Sequence, residues 1–218
     1  MAAMEIFGRT LGPYGTNCYV VIDDGNAATI IDPGLGAAAW VPEQLQDRGA
    51  TAASIVLTHG HIDHTRDAGE LARRYDIPVH IHAEDEEMLA HPERGVMAES
   101  LAVFGAADMV DIPTVRHLGA SVPIGGHDFE VLHAPGHSPG SCLLTNAELA
   151  VVFSGDVLFK GSIGRTDLPG SNPADMDRTL RTVVAQLDPQ LVVAPGHGPT
   201  TTMRAELLTN PYLSHLRP

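Results

Sequence analysis

THGHIDH, from Thr58 to His64, places three histidines and an aspartate directly after the apolar run Ser54-Ile55-Val56-Leu57. His59 and His61 are two apart at the end of an extended segment, and a period of two sends both side chains to one face. Asp63 and His64 follow where a helix begins, so they can point into the same small volume. The spacing is not the i, i+4 pair of a helical zinc site. It describes a ligand-rich loop between a strand and a helix. One such loop supplies too few donors to close two metal sites, so others must come from elsewhere.

Three separate turns offer them. APGHSPGS contains His137, VVFSGDVLF contains Asp156 and VVAPGHGP contains His197. Each follows an apolar strand-like run or sits in a Gly/Pro turn, where sites are commonly built on a rigid scaffold. Imidazole and carboxylate donors without a thiolate suit Zn²⁺, and also Fe or Mn. Twelve histidines in 218 residues is a high count, and these loops use five of them. Of the rest, His80 and His82 alternate along a strand and His133 precedes the PGH turn. His91, His117, His127 and His215 read as surface or turn residues.

The surrounding pattern places these loops on a fold. TNCYVVIDD and AATIIDPG read as two strands joined at Asp24-Gly25-Asn26. AAAWVPEQLQDRG reads as a helix ending at Gly49. SIVLTHG and IPVHIHA read as strands, and DHTRDAGELARRYD and EDEEMLAHPE as helices. Further strands are expected at 115–118, 128–133, 141–145 and 150–154. NPADMDRTLRTVVAQL reads as a helix capped by Asn172 and Pro173. LVVAPGHG closes the strands, and TTMRAELLTNPYL reads as a final helix. Residues 95–113 mix helical and loop signals. Strands alternate with helices in two clusters, with no linker between them. We expect one α+β domain over 1–218, with two sheets packed face to face and helices outside.

Composition excludes several functions. The net charge is −14, whereas binding nucleic-acid phosphates needs Lys/Arg patches. No apolar run approaches the ~20 residues that span a bilayer, so no membrane role is expected. MAAMEIFGRT has neither a basic n-region nor an apolar h-region, and two cysteines are too few for a disulfide scaffold. A cytoplasmic protein is expected.

THGHIDH followed by PGHSPGS, FSGDVLF and PGHGPTT, in this order and over nearly the whole chain, resembles the metallo-β-lactamase superfamily. LFKGSIGRTDLPG and the terminal TNPYL are most similar to its glyoxalase II-like thioester hydrolases. The resemblance implies an αββα sandwich of two mixed sheets with two divalent metals at one edge. His59, His61 and His137 would hold the first metal and Asp63, His64 and His197 the second, with Asp156 bridging. It implies hydrolysis of a small-molecule hydroxyacyl thioester by a hydroxide held between the metals, oriented by Asp63. Arg165 is the expected substrate anchor, since a guanidinium matches a carboxylate in a bidentate pair; its bland alternative is pairing with Asp167.

The same family offers rivals. Its persulfide dioxygenase branch shares the GRTD stretch and uses one iron, at positions matching His59, His137 and Asp156; PGHGPTT resembles the hydrolases more. The better-known dizinc β-lactamases place a cysteine where Asp156 stands. A lactone hydrolase and a non-catalytic metal-binding module are further alternatives. Larger glyoxalase II enzymes place an aromatic residue just after the last ligand histidine, where this sequence has Gly198-Pro199, so a low-molecular-weight thiol other than glutathione is an alternative carrier.

Overall fold

The computed structural model of the chain describes residues 4–213 and Leu216; His215 lies outside the described residues. The first sheet runs in the order β1 (Glu5–Leu11), β2 (Thr16–Ile22), β3 (Ala27–Ile31), β4 (Thr51–Val56), β5 (Val79–Ile81) and β6 (Val115–His117). Its first two pairings are antiparallel and its last three parallel. The second sheet contains β7 (Ser121–Ile124), β8 (His127–His133), β9 (Cys142–Asn146), β10 (Val151–Gly155), β13 (Val192–Pro195) and β14 (Thr201–Thr202). Its order is β14-β13-β10-β9-β8-β7, and only the β10–β13 pairing is parallel. A small hairpin, β11 (Leu158–Phe159) with β12 (Ser162–Ile163), stands apart.

Central strands are apolar on both faces because both faces are buried. In β2, Val21 joins Ile31 and Val56 against Phe129, Leu144 and Phe153 of the other sheet. Its neighbour Val20 points outward, where Trp40, Val41 and Leu45 of α1 (Ala37–Arg48) and Leu71 of α3 (Ala68–Tyr75) cover the sheet. On the far side Val152 and Val193 pack beneath Met176 and Leu180 of α6 (Pro173–Thr182). The layers are therefore helix, sheet, sheet, helix, as the sequence implied. The Asn172 side chain caps α6 by accepting from the Ala174 and Asp175 amides. Among the described residues no helix is long and apolar enough to cross a membrane.

Several elements differ from the expectation. The helix expected over 63–76 is broken into α2 (Ile62–Thr65) and α3. Asp67, at the break, turns its carboxylate to accept from the Gly36 and Ala38 amides at the start of α1. The expected helix over 84–93 is instead two 3₁₀ turns flanking the short α4 (Glu87–Ala90), because Asp85 faces inward rather than toward solvent. α5 (Ala98–Val103) occupies the ambiguous stretch, where Val96 and Phe104 pack on Ile62. The closing helix is α7 (Met203–Thr209), preceded by β14 and followed by a turn. The edge strands β1 and β7 had no signal: β1 is mostly exposed, and β7 contains Pro123, which sheets tolerate at an edge.

Candidate metal centre

β4 runs into the loop that contains His59 and His61, and β9 begins just after the one that contains His137. One donor atom from each of these three buried histidines lies within 4.8 Å of the others. Asp63, His64 and His197 form a second group of the same span. His197 Nε2 stands 3.1 Å from Asp63 Oδ2 and 3.3 Å from His64 Nε2. Asp156, just beyond β10, lies between the groups. Its Oδ2 is 3.4 Å from both His137 Nε2 and His197 Nε2, and its Oδ1 is 3.3 Å from His64 Nε2. The seven residues singled out from four separate loops thus converge on one volume.

The outer ring nitrogens decide which atoms face inward. His64 Nδ1 donates to Asp32 Oδ2 at 3.0 Å, His137 Nδ1 to the Arg165 carbonyl at 2.9 Å, and His197 Nδ1 to the Tyr14 carbonyl at 3.1 Å. His59 Nδ1 donates to Thr58 Oγ1, which in turn donates to Asp32 Oδ2. Each of these rings therefore turns an Nε2 lone pair to the centre, the arrangement that fixes the tautomer of metal-ligating histidines. Nε2 of His59, His61 and His137 and Oδ1 of Asp156 are buried without a hydrogen-bond partner. Leaving such groups bare costs about 1–3 kcal/mol each. The Nε2 atoms of His64 and His197 also face each other at 3.3 Å, within reach of one shared cation. The donor set fits two divalent metal ions.

Electrostatics separates the two groups. Burial pushes the His61 imidazole down to about 3 and His59 well below its ordinary range, so both offer neutral lone pairs. Burial would depress His64 too, but Asp63, Asp156 and Asp32 hold it well above the usual range. His197 is likewise raised to about 9 by Asp156 and Asp63 against the effect of burial. Burial works against the acids in turn, yet His64 and His197 bring Asp63 down to about 2 and Asp156 well below the carboxylate range. Protons stand on the second group where a divalent cation would replace them.

Sequence reasoning missed the groups that hold these ligands. Thr16 Oγ1 donates to Asp63 Oδ2 at 3.0 Å. Asp32 accepts from the Thr58 amide and hydroxyl as well as from His64. Asp85 binds the two loops of the first group. None lies near the histidine motif in sequence, so only the fold could reveal them. A further group, His82, Glu84 and His133, gathers at the surface. There His82 and His133 stack with rings 4.1 Å apart and 10° from parallel, which sets their lone pairs side by side rather than at a common point.

A cleft of about 380 Å³ opens over the metal-ligand candidates. Tyr14, Val96, Met97, Phe159, Ile163 and Leu168 give it apolar walls. Arg165 reaches its rim, but its guanidinium is exposed and binds Asp167 through two contacts of 2.6 and 2.8 Å. The pairing weighed as the bland alternative is thus present. A larger cleft of about 780 Å³, between α6 and the outer side of β8 and β9, contains none of the metal-ligand candidates.

Comparison with known proteins agrees with this geometry. The family model described as the metallo-beta-lactamase superfamily matches residues 11–197. The chain is 32% identical over 201 residues to hydroxyacylglutathione hydrolase GloC of Haemophilus influenzae, covering 91% of this chain and 92% of that one. Two solved structures are similar throughout. One is the B3 metallo-beta-lactamase BLEG-1, with a TM-score of 0.83 and 35% identity over 96% of this chain and all of the other. The other is TTHA1623 in a di-iron-bound form, with a TM-score of 0.79 and 37% identity over 95% of this chain and all of the other.

Proposed function

The chain belongs to the metallo-beta-lactamase superfamily and has the His/Asp clusters of a metal-dependent hydrolase; from that premise we propose that it hydrolyses a hydroxyacyl thioester. One observation carries the reading. Asp156 and four more of the seven donors, His61, Asp63, His137 and His197, line a cleft whose other walls hold no carboxylic acid or imidazole to protonate a leaving group. Apart from the metal-ligand candidates, its lining contains only Tyr14 and Arg165 among tyrosines and charged residues. Tyr14 shares a hydrogen bond with Ser100 Oγ at 2.9 Å, and the Arg165 guanidinium pairs with Asp167 and is far too weak an acid to serve. A thiol, with a pKa of about 8.5, departs as thiolate without an acid. An amine leaving from an amide needs a proton. The similarity to GloC, named for its action on a hydroxyacyl thioester of glutathione, points the same way.

In this reading His59, His61 and His137 would hold one divalent metal and Asp63, His64 and His197 another, with Asp156 available to both. Zn²⁺ is the first choice, with Fe or Mn as alternatives. The metals supply Lewis acidity, which ionises water near neutral pH and polarises a carbonyl. The protein's own groups do the rest. Two carboxylates among seven donors leave a pair of divalent ions net positive, so an anionic nucleophile is favoured there. Asp63 lines the cleft and accepts from Thr16 Oγ1, so its carboxylate can orient the attacking water through that water's proton. The apolar walls exclude bulk water and receive the acyl group, and Arg165 steers a carboxylate at the rim when it exchanges Asp167 for substrate. The partner is a small molecule, and the compartment proposed is the cytoplasm.

A second reading is β-lactam hydrolysis, favoured by the neighbour described as a B3 metallo-beta-lactamase. Its leaving nitrogen needs a proton that the cleft walls do not offer. Assay of the Zn²⁺-loaded protein on S-D-lactoylglutathione, other S-hydroxyacyl thiols and a cephalosporin tests both. Faster turnover of a thioester supports the proposal. Cephalosporin cleavage with no thioester turnover would overturn it.

A further inference from the structure

Asp85 is completely buried, lies outside the metal-ligand set, and belongs to a segment whose sequence reads as an acidic solvent-facing helix. Its Oδ2 accepts from the Gly60 amide at 2.9 Å and from Ser138 Oγ at 2.6 Å. Its Oδ1 accepts from the Gly140 amide at 2.6 Å. Gly60 is the residue between His59 and His61, and Ser138 directly follows His137. One carboxylate therefore joins the two loops that supply all three donors of the first group. The fit is close. A Cβ on Gly60 would fall 2.8 Å from the Asp85 carbonyl, and one on Gly140 would fall 2.7 Å from Asp85 Cγ. Ser141 Oγ completes the knot by donating to Ser138 Oγ at 2.7 Å.

We infer that Asp85 is the positioning residue of the first metal site: its carboxylate sets the spacing between the His59–His61 loop and the His137 loop, and with it the affinity of one of the two ions. The second group has its own supports. Thr16 holds Asp63, Asp32 holds His64 and the Tyr14 carbonyl holds His197. Asp85 touches none of these, so its influence falls on one ion and spares the other. All three groups that approach Asp85 are donors, and an amide in its place has a single acceptor atom. Asp85→Asn thus loses part of the clamp while keeping its volume.

The inference rests on the metal-binding part of the proposed function and not on its substrate. Titrating the metal-free full chain with Co²⁺, followed by visible absorption, separates the two. Two binding steps in the unaltered chain test the metal reading itself. Given those two steps, Asp85→Asn is expected to weaken one by about 10–100-fold, the usual range for losing a group that orients a ligand, and to leave the other in place. Ser138→Ala removes one of the three donors and keeps the carboxylate, so it should weaken the same step by less. Circular dichroism checks the fold. Two unchanged steps in a folded Asp85→Asn, or equal weakening of both, would overturn the assignment. Should Asp85→Asn fail to fold, Ser138→Ala decides alone, and unchanged steps in that variant would overturn it.

Discussion

Replacing Asp32 by asparagine tests whether the histidine tautomers, and not the mere presence of imidazoles, make this site. Asp32 is buried and meets only donors: the Thr58 amide at 2.8 Å, the Thr58 hydroxyl at 2.6 Å and His64 Nδ1 at 3.0 Å. Its φ of +49° is one that asparagine also adopts, so the backbone is not strained by the change. An asparagine presents one acceptor and one NH₂. With its oxygen toward the Thr58 amide, the NH₂ meets His64 Nδ1 and drives the ring to the tautomer with the proton on Nε2. That proton occupies the lone pair a metal needs. With the amide reversed, NH₂ faces the Thr58 amide instead and leaves it unpaired. A hydrogen bond to a charged group contributes about 1.5–3 kcal/mol, and each 1.4 kcal/mol is about tenfold in affinity. The ion held by Asp63, His64 and His197 should therefore bind about 10–100-fold more weakly in Asp32→Asn. A smaller effect is expected at His59, which leans on the same hydroxyl of Thr58. Competition against a chromophoric chelator, with metal counted at each step, measures both. A folded Asp32→Asn that binds both ions as tightly as the unaltered chain would refute the tautomer argument.

Proton release should accompany metal uptake. His64 is raised by the surrounding acids and His197 is raised to about 9, so in the metal-free protein both are protonated at pH 7 and must lose those protons to bind. Affinity should rise with pH up to about 9, by roughly tenfold per unit for each proton displaced; a flat profile between pH 7 and 9 would contradict the assignment. Arg165→Ala should raise KM for a carboxylate-bearing thioester with little change in kcat, because it removes binding shared by ground and transition states. An unchanged KM would reduce Arg165 to its pairing with Asp167. Asn210 is fully buried and ties α7 to the β11–β12 hairpin through the Ser162 carbonyl at 3.1 Å and Glu206 at 2.9 Å. Asn210→Ala strands those acceptors and should cost about 1–3 kcal/mol in urea unfolding, with a raised KM because the hairpin supplies Phe159 and Ile163 to the cleft. A variant as stable as the parent would show that the tie is dispensable.

How far the sequence could be read depended on where each signal lay. His59, His61, Asp63 and His64 were legible because they crowd one short stretch behind an apolar strand. His137, Asp156 and His197 were legible because each stands in a Gly-containing turn after such a strand. The two-sheet arrangement followed from two clusters of strand-like runs, such as those of β2 and β10, alternating with helices and joined by no linker. Edge strands gave no such pattern, since β1 exposes most of its residues and β7 contains a proline. The broken helix at Asp67 was hidden because its cause, the α1 amides, lies far away in sequence. Asp85 was hidden for a similar reason: among Glu84, Glu86 and Glu87 it reads as one more solvated acid, and only the fold turns it inward. Arg165 was legible as a candidate, but its engagement by Asp167 two residues on needed coordinates.

The proposed thioester hydrolysis requires two cations held by these seven side chains. Metal counting on the purified protein, paired with turnover of S-D-lactoylglutathione and with oxygen uptake on a thiol persulfide, tests it most directly. Two metals per chain and thioester cleavage are expected, both lost in Asp156→Ala. A single iron with oxygen consumption, or full thioester turnover by metal-free Asp156→Ala, would contradict it.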